Sequence, residues 1–260
     1  TGFVGDFDDG VETCFVGPGM RRSAHLVYIP SRLSLVPRLF ATTCPPDVVL
    51  LHTSLPVDGK VSLGIEVNIL PAAIEAAKER GALVIAQANP QMPYTFGDAE
   101  ISVGDIDVLV EVDAELPSPP SMTIDDVSAE IGRRVASRVE DGSTLQLGIG
   151  AVPDAVLSGL IHRRGLRVWS EMFSDGVLDL DRAGALDPDA PLVSSFLFGS
   201  PELYRWVDRN ERVVMRRTET TMMPPCPKSP SCRVKQAGEL YVGRSRGGSF
   251  LTRRPVPFRL

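Results

Sequence analysis

Short apolar runs alternate with amphipathic segments along most of the 260-residue chain. Residues 47–53 (DVVLLHT), 82–88 (ALVIAQA) and 107–112 (DVLVEV) are nearly continuous apolar runs, typical of strands that are covered on both faces. Between the first two runs, residues 71–80 (PAAIEAAKER) predict a helix that begins at a proline and ends before Gly81. Strands and helices in this alternation predict an α/β fold with a mainly parallel sheet.

A proline-rich stretch divides this pattern. Residues 117–122 (PSPPSM) favour a stiff, extended linker. The next segment predicts a long helix with Thr123 as its cap and one apolar stripe, formed by Ile124, Val127, Ile131, Val135 and Val139. Strand and helix patterns then continue to Met215. We therefore expect two α/β domains with mainly parallel sheets, over residues 1–116 and 123–215.

Residues 216–260 are a different kind of sequence. They contain ten Lys or Arg and two Asp or Glu, a charge of +8, which leaves −14 on the rest of the chain. The segment is rich in Pro, Arg, Gly and Ser and lacks hydrophobic periodicity, which predicts a disordered basic tail. Cys226 and Cys232 have no further Cys or His nearby to complete a zinc site. The basic residues lack an aromatic platform for nucleic acid, so we expect neither ligand.

The overall composition, 43% hydrophobic and 23% charged, is that of a soluble globular protein. No apolar run approaches the roughly 18 residues of a membrane span, and the first residues lack a signal-peptide pattern. Four cysteines in this length favour a reducing compartment, so we expect a cytoplasmic location and no membrane partner. The three histidines, His25, His52 and His162, are too scattered to predict a metal site.

The candidate chemistry lies in residues 144–175. Residues 144–147 predict a strand, Gly148-Ile149-Gly150 a turn, and Pro153 the first turn of a helix. A glycine turn that enters a helix presents backbone N–H groups to a phosphate or pyrophosphate, although a purely structural tight turn fits equally well. Glu171 follows the next predicted strand, at the sheet edge where α/β proteins bind ligands. From the residues alone it could act as base, metal ligand or nucleophile.

Two other features have a structural and a functional interpretation. The pair Arg21-Arg22 could contact phosphates, but a solvated turn is the more common role of exposed arginines. The loop at residues 89–93 (NPQMP) follows a predicted strand, so it could face a substrate or form an ordinary Asn-Pro turn.

Several long motifs resemble one known family. Residues 148–160 (GIGAVPDAVLSGL), 169–177 (WSEMFSDGV) and 84–107 (VIAQANPQMPYTFGDAEISVGDID) look like the acetyl-CoA hydrolase/transferase family, in particular the 4-hydroxybutyrate CoA-transferase type. The resemblance spans roughly residues 14–215 and implies two α/β domains with the active site between them. Compared with the family, the chain lacks the first strand and glycine loop and most of the second domain after Met215. It is therefore expected to be truncated at both ends, with an incomplete second domain.

The resemblance also implies a function. In the family a glutamate attacks the acyl-CoA thioester and then carries CoA as a glutamyl-CoA thioester; the matching residue here is Glu171. The matching CoA loop is Gly148, Ile149, Gly150, Ala151 and Val152. Coenzyme A is then a substrate, a small carboxylate is the acceptor, no metal is needed, and a homodimer is expected. Two alternatives stay open: an acyl-CoA hydrolase, and an inactive homologue that only binds CoA or a partner.

Overall fold

The computed structural model describes residues 10–17, 20–119 and 124–222, and the backbone of residues 240–241, 243–245 and 248–250. The strands of the first half are β1 (Val11–Thr13), β2 (Leu26–Tyr28), β3 (Val48–Thr53), β4 (Lys60–Ser62), β5 (Leu83–Ala88), β6 (Phe96–Gly97), β7 (Glu100–Ser102) and β8 (Val108–Glu111). Its helices are α1 (Val36–Ala41) and α2 (Leu70–Arg80). The predicted helix and the three long strands of this half are confirmed, with bounds shifted by one residue.

The sheet of the first half contains three parallel strands in the order β3-β5-β8. One face packs into the core, because alternate residues such as Val49, Leu51 and Val84 are buried. The other face is open, and Leu50 is 73% exposed. Parallel strands are usually covered on both sides. Within the described residues, this sheet is covered on only one side.

The strands of the second half are β9 (Thr144–Gln146), β10 (Arg167–Trp169), β11 (Met172–Phe173), β12 (Leu192–Ser194), β13 (Phe196–Leu197), β14 (Val213–Met215), β15 (Leu240–Tyr241), β16 (Gly243–Ser245) and β17 (Gly248–Phe250). Its helices are α3 (Asp126–Ala136), α4 (Ala151–Ser158), α5 (Asp175–Arg182), α6 (Pro201–Val207) and α7 (Thr218–Thr221). Strands β9, β10, β12 and β14 are neighbours, all parallel, and β15 extends the sheet beside β9. The α/β fold with mainly parallel strands is thus confirmed.

The two halves share structure. Strand β6 of the first half pairs in parallel with β14, where Val214 lies opposite Phe96. Buried residues of both halves form one hydrophobic cluster. The hydroxyl of Tyr204 donates a 2.7 Å hydrogen bond to the carbonyl of Pro117, which ties α6 to the start of the linker. The division into two domains remains a prediction.

Helices α3 and α4 approach each other through glycines. A Cβ added at Gly132 would come within 2.6 Å of the Ala155 Cβ and within 2.8 Å of the Ala155 carbonyl oxygen. A Cβ at Gly159 would come within 2.8 Å of the Ala136 Cβ. Because backbone atoms cannot move aside cheaply, this contact requires glycine at position 132.

One expectation about helix α3 is wrong, and another is confirmed only in part. Helix α3 is capped by Asp125, whose carboxylate accepts a 2.7 Å hydrogen bond from the Ser128 N–H, and not by Thr123. The predicted stripe is buried only in part, because Ile124 and Val127 are 41% and 69% exposed.

The basic tail begins later than predicted. Residues 216–222 belong to the folded part, where Thr218 is fully buried in α7 and the N–H of Arg217 donates a 2.9 Å bond to Asp98. The charge pattern predicts a boundary at residue 216, but Arg216 and Arg217 form ion pairs with acidic residues of the first half, Asp98 and Glu75. Within the tail, residues 240–241, 243–245 and 248–250 form strands β15, β16 and β17, which contradicts the expected disorder at those positions. The rest of residues 223–260, including Cys226 and Cys232, lies outside the described residues, so disorder there stays a prediction.

Candidate functional site

Glu171 lies at an interruption between two parallel strand pairs. It follows β10 and precedes β11, and its carbonyl oxygen accepts hydrogen bonds from the N–H groups of both Ser195 (2.9 Å) and Phe196 (3.0 Å). The two strands keep one register across this interruption, since Trp169 pairs with Val193 before it and Met172 with Phe196 after it. Glu171 therefore lies just past the carboxyl end of β10, between the two strand pairs.

The glycine bend meets the same edge from the neighbouring strand. Strands β9 and β10 pair with Val168 opposite Leu145, and this register, continued three residues further, places Glu171 opposite Gly148. Adjacent strands lie about 4.8 Å apart. The Ser170 hydroxyl accepts a 2.9 Å bond from the Leu147 N–H and donates a 3.1 Å bond to the Leu147 carbonyl. Ser170 thus ties the strand before the glutamate to the residue before the bend.

Gly150 forms the turn into α4. Its dihedral angles, φ 114° and ψ 178°, lie in a region that only glycine occupies readily. The N–H of Asp154 already donates to the Gly150 carbonyl (3.1 Å). Among the described residues, the N–H groups of Gly150, Ala151 and Val152 have no acceptor, as at any uncapped helix start. These donors are available to an anion.

Burial sets the electrostatics of this edge. It raises the pKa of the Glu171 carboxyl, which stays partly accessible and accepts no side-chain hydrogen bond from any described residue. Burial also raises the pKa of Asp154 in the first turn of α4. A hydrogen bond from Ser174 lowers this pKa, whereas repulsion from Asp175 and Asp179 raises it further. The two carboxyl groups beside the bend are therefore easier to protonate than ordinary ones.

The residues after Glu171 fasten the surrounding loops, a role that sequence reasoning missed. Ser174 donates a 3.4 Å bond to Asp154, and Asp175 accepts bonds from the N–H and hydroxyl of Ser200. Gly176 lies so close to α4 that an added Cβ would meet the Leu157 Cδ1 at 2.5 Å. This short run thus contacts α4 through Ser174 and Gly176 and the start of α6 through Asp175. The amino acids themselves gave no signal of these partners.

The 89–93 loop has the structural role. The Asn89 side chain is fully buried and donates to His52 Nε2 (2.9 Å) and to the Ala114 carbonyl (2.8 Å). Its oxygen accepts from the Gln91 N–H (3.0 Å), and the Asn89 carbonyl closes a turn with Met92. Asn89 therefore braces the loop and does not face a ligand.

Arg21 and Arg22 are exposed, at a distance in the chain from the site described above. Within the part of the chain that the structure describes, no cluster of three His, Cys, Asp or Glu side chains is placed to hold a metal ion. No helix there is long and apolar enough to cross a bilayer.

The fold and the edge just described define a class: an α/β protein of the CoA-transferase fold. In structure the chain resembles RipA from Yersinia pestis (TM-score 0.71, 26% identity, 76% of this chain and 47% of that one). It also resembles a 4-hydroxybutyrate CoA-transferase from Porphyromonas gingivalis (TM-score 0.68, 33% identity, 78% and 53%). Residues 9–119 match the family model of the acetyl-CoA hydrolase/transferase N-terminal domain.

Two curated relatives carry the names of CoA-dependent activities. The chain is 40% identical over 210 residues to the 4-hydroxybutyrate coenzyme A transferase of Clostridium kluyveri, covering 76% of this chain and 48% of that enzyme. It is 30% identical over 142 residues to the acetyl-CoA hydrolase of Candida glabrata, covering 47% and 27%. The chain spans about half the length of the curated transferases it matches.

Proposed function

We propose that this chain is a CoA-transferase in which Glu171 is the nucleophile, CoA is held at residues 148–152 and a small carboxylate is the acceptor. The observation that carries the proposal is the position of a desolvated, unpartnered carboxyl beside a glycine bend with free N–H groups. An anionic nucleotide and a thioester carbon need such neighbours. The family relationship and the names of the relatives support the same reaction.

The reaction proceeds by exchange at one carboxyl group. The Glu171 carboxylate attacks the thioester carbonyl, the C–S bond breaks, and an acyl-glutamyl anhydride and CoA thiolate form. The thiolate attacks the glutamyl carbonyl, releases the original acyl group as a carboxylate and leaves glutamyl-CoA. An incoming carboxylate attacks that thioester, and the thiolate returns to the new acyl group, which regenerates Glu171. Covalent attachment at Glu171 divides one difficult exchange into several easier steps.

The pieces of the site have separate roles in this proposal. The bend offers its N–H groups to CoA, while Ser170 fixes the distance between the bend and the glutamate. The lack of hydrogen bonds to the Glu171 side chain leaves its carboxylate reactive. We expect the active form to be a homodimer, which a sedimentation measurement will check.

Hydrolysis is the second candidate, because one relative is an acetyl-CoA hydrolase and Glu171 stays partly accessible to solvent. In that case water attacks the anhydride, and free carboxylate and CoA are released without an acceptor. The chemistry up to the anhydride is shared, so only the fate of the acyl group separates the two.

Intact-mass measurement of the full chain tests the proposal. The chain is incubated with acetyl-CoA, with and without butyrate, and quenched in acid. We expect a covalent CoA adduct, butyryl-CoA when butyrate is present, and a loss of transfer of at least about 1,000-fold in Glu171→Gln. Glu171→Asp, which withdraws the carboxylate by about 1 Å, should lose about 100-fold. Glu79→Gln, an exposed glutamate of α2, is the matched control and should transfer normally.

Other outcomes would contradict the proposal. CoA released at the same rate with and without butyrate would favour the hydrolase. CoA binding without any turnover or adduct would favour the inactive homologue.

A further inference from the structure

Glu171 is held in place through its backbone, because its carboxyl group accepts no hydrogen bond from a side chain of the described residues. Its carbonyl oxygen accepts hydrogen bonds from the N–H groups of Ser195 and Phe196. Two residues further on, the Phe173 carbonyl accepts a 3.2 Å bond from the Phe198 N–H. The strands concerned, β11 and β13, are each only two residues long, and a strand pair of that size contributes little stability by itself. The position of the carboxyl group therefore depends on what fixes the two ends of the segment.

Both ends of this segment carry a side-chain anchor. Before Glu171, the Ser170 hydroxyl bonds to the N–H and to the carbonyl of Leu147. After it, the Asp175 carboxylate accepts a 2.9 Å bond from the Ser200 N–H and a 2.5 Å bond from the Ser200 hydroxyl. Glu171 thus lies one residue after the first anchor and four residues before the second.

The Ser200 end of the second anchor is itself fixed. Its hydroxyl oxygen accepts a 3.2 Å bond from the Leu203 N–H and so caps α6. The Tyr204 hydroxyl accepts a 3.3 Å bond from the Gly199 N–H and donates a 2.7 Å bond to the Pro117 carbonyl. The second anchor therefore joins the glutamate segment to a helix that is held on the start of the linker.

The surroundings of Asp175 leave its carboxylate little freedom. A Cβ added at Gly199 would lie 2.7 Å from the Asp175 Oδ2 atom, so the backbone of residue 199 packs directly against this group. Asp175 is also the first residue of α5, where a carboxylate interacts favourably with the helix dipole. Asp179, one turn later on the same helix, is exposed, and its side chain accepts no hydrogen bond from a described residue. The contact with Ser200 is what separates these two aspartates.

We propose that Asp175 is a positioning residue for Glu171: by docking on Ser200 it fixes the far end of the segment that presents the nucleophile. The inference rests on the proposed function, since it takes Glu171 to attack the thioester. Attack requires the carboxylate about 3–3.5 Å from the thioester carbon, and a displacement of about 1 Å can slow a reaction about 100-fold. The CoA loop at residues 148–152 belongs to the neighbouring strand and helix, so it stays in place when the anchor is released. Loss of Asp175 should therefore slow the chemical step and leave the binding of acyl-CoA nearly unchanged.

Steady-state transfer of CoA from acetyl-CoA to butyrate tests this role in the full chain and its variants. Asp175→Ala should lower kcat about 30- to 100-fold and change KM for acetyl-CoA less than about 3-fold. Asp175→Asn keeps an oxygen that can accept a bond from Ser200, so its kcat should recover to within about 10-fold of the wild type. Ser200→Ala removes only the hydroxyl and should lower kcat about 5- to 10-fold. Asp179→Asn is the matched control and should transfer normally.

The double variant Asp175→Ala/Ser200→Ala separates this contact from other effects. If the two side chains act through one contact, the double variant should have a kcat within about 2-fold of that of Asp175→Ala. Losses that multiply would overturn the proposal, because each side chain would then act independently. A loss in Asp175→Ala that appears in KM and leaves kcat unchanged would overturn it as well.

Folding is measured separately from transfer. Circular dichroism gives the folded fraction of each variant, and rates are expressed per folded chain. If Asp175→Ala does not fold, Asp175→Asn and Ser200→Ala still have to show the lowered kcat at an unchanged KM. Variants with the wild-type kcat per folded chain would assign Asp175 to helix stability alone and leave the role of Glu171 intact. A wild type that forms no CoA adduct and transfers nothing to butyrate overturns the proposed function and this inference with it.

Discussion

The two halves of the chain end their parallel strands in opposite ways. At the carboxyl edge of β3, β5 and β8, the side chains of His52, Asn89 and Gln91 are bonded to one another, to Asp113 or to backbone groups. At the corresponding edge of β9 and β10, the Glu171 carboxyl and the N–H groups of the glycine bend have no partner in the described chain. Unsatisfied polar groups are costly unless a ligand or water meets them. A position at the carboxyl ends of parallel strands therefore does not by itself indicate a ligand-binding site. Polar groups there that have no hydrogen-bond partner in the described chain are the better indication.

The largest effect on stability is expected at the closed edge. Asn89→Ala removes a fully buried amide and leaves the Ala114 carbonyl without its donor. The free energy of unfolding should fall by about 2–3 kcal/mol, measured by urea denaturation. The CoA-transfer rate of the folded fraction should stay unchanged. The exposed neighbour Gln91→Ala is the control, and a Gln91→Ala loss as large as that of Asn89→Ala would contradict the account.

At the open edge, Gly150→Ala should mainly affect binding. A side chain at φ 114° strains the backbone and turns the N–H groups of the bend, so KM for acyl-CoA should rise at least about 10-fold. The cost to the unfolding free energy should be about 1–2 kcal/mol. Gly184→Ala provides a matched control, since its φ is 65° and nothing lies within 4 Å of an added Cβ. An equal rise of KM in both variants would remove the bend from CoA binding.

The pH profile distinguishes the two roles of Glu171. Transfer needs the carboxylate, and burial raises its pKa, so the acid limb of kcat/KM should lie above the ordinary glutamate pKa of about 4.5. Stability should change with the opposite sign: the unfolded chain loses this proton first, so stability falls as pH rises through the raised pKa. Glu171→Gln should abolish that fall, followed by thermal unfolding from pH 4 to pH 8. A fall that persists in the variant would assign it to another group.

The smallest effect concerns His52. Burial lowers the pKa of His52 below its ordinary value of 6.5. The neutral ring accepts a hydrogen bond from the Asn89 side chain. The corresponding stability is complete above pH 6.5 and is lost as pH falls through the lowered pKa. His52→Gln should flatten this slope in thermal unfolding, while the exposed His162→Gln should not. Equal slopes in all three proteins would remove His52 as the cause.

The sequence predicted the regular strands well and the interrupted ones poorly. The apolar runs at β3, β5 and β14 needed only local composition. The apolar residues of 61–67 also predict a strand, but β4 ends at Ser62, since Gly64 takes a φ of 63° beside Met92. Residues 192–199 (LVSSFLFG) likewise predict one strand, which is broken at Ser195, whose backbone bonds to Glu171 on one side and to Val67 on the other. Such breaks depend on which segments lie alongside, and composition does not record that.

The same distinction applies to the candidate site. Glu171 and the glycine bend could be paired from the sequence because a strand-helix-strand unit brings the ends of adjacent strands together. Their catalytic and binding roles stay predictions. The bridge between Glu66 and Phe196 could not be found this way, because the two residues lie more than a hundred positions apart in the chain. A hundred-residue loop leaves no periodic signal.

The glycine contact between α3 and α4 has a consequence for protein engineering. Helix α4 is eight residues long, about 12 Å, and its first residue continues directly from the bend. Any side chain at position 132 would push against Ala155 in the middle of α4 and displace the N-terminal end of that helix. Screens for altered nucleotide affinity should therefore include position 132 on α3, where a single added methyl group would move the bend.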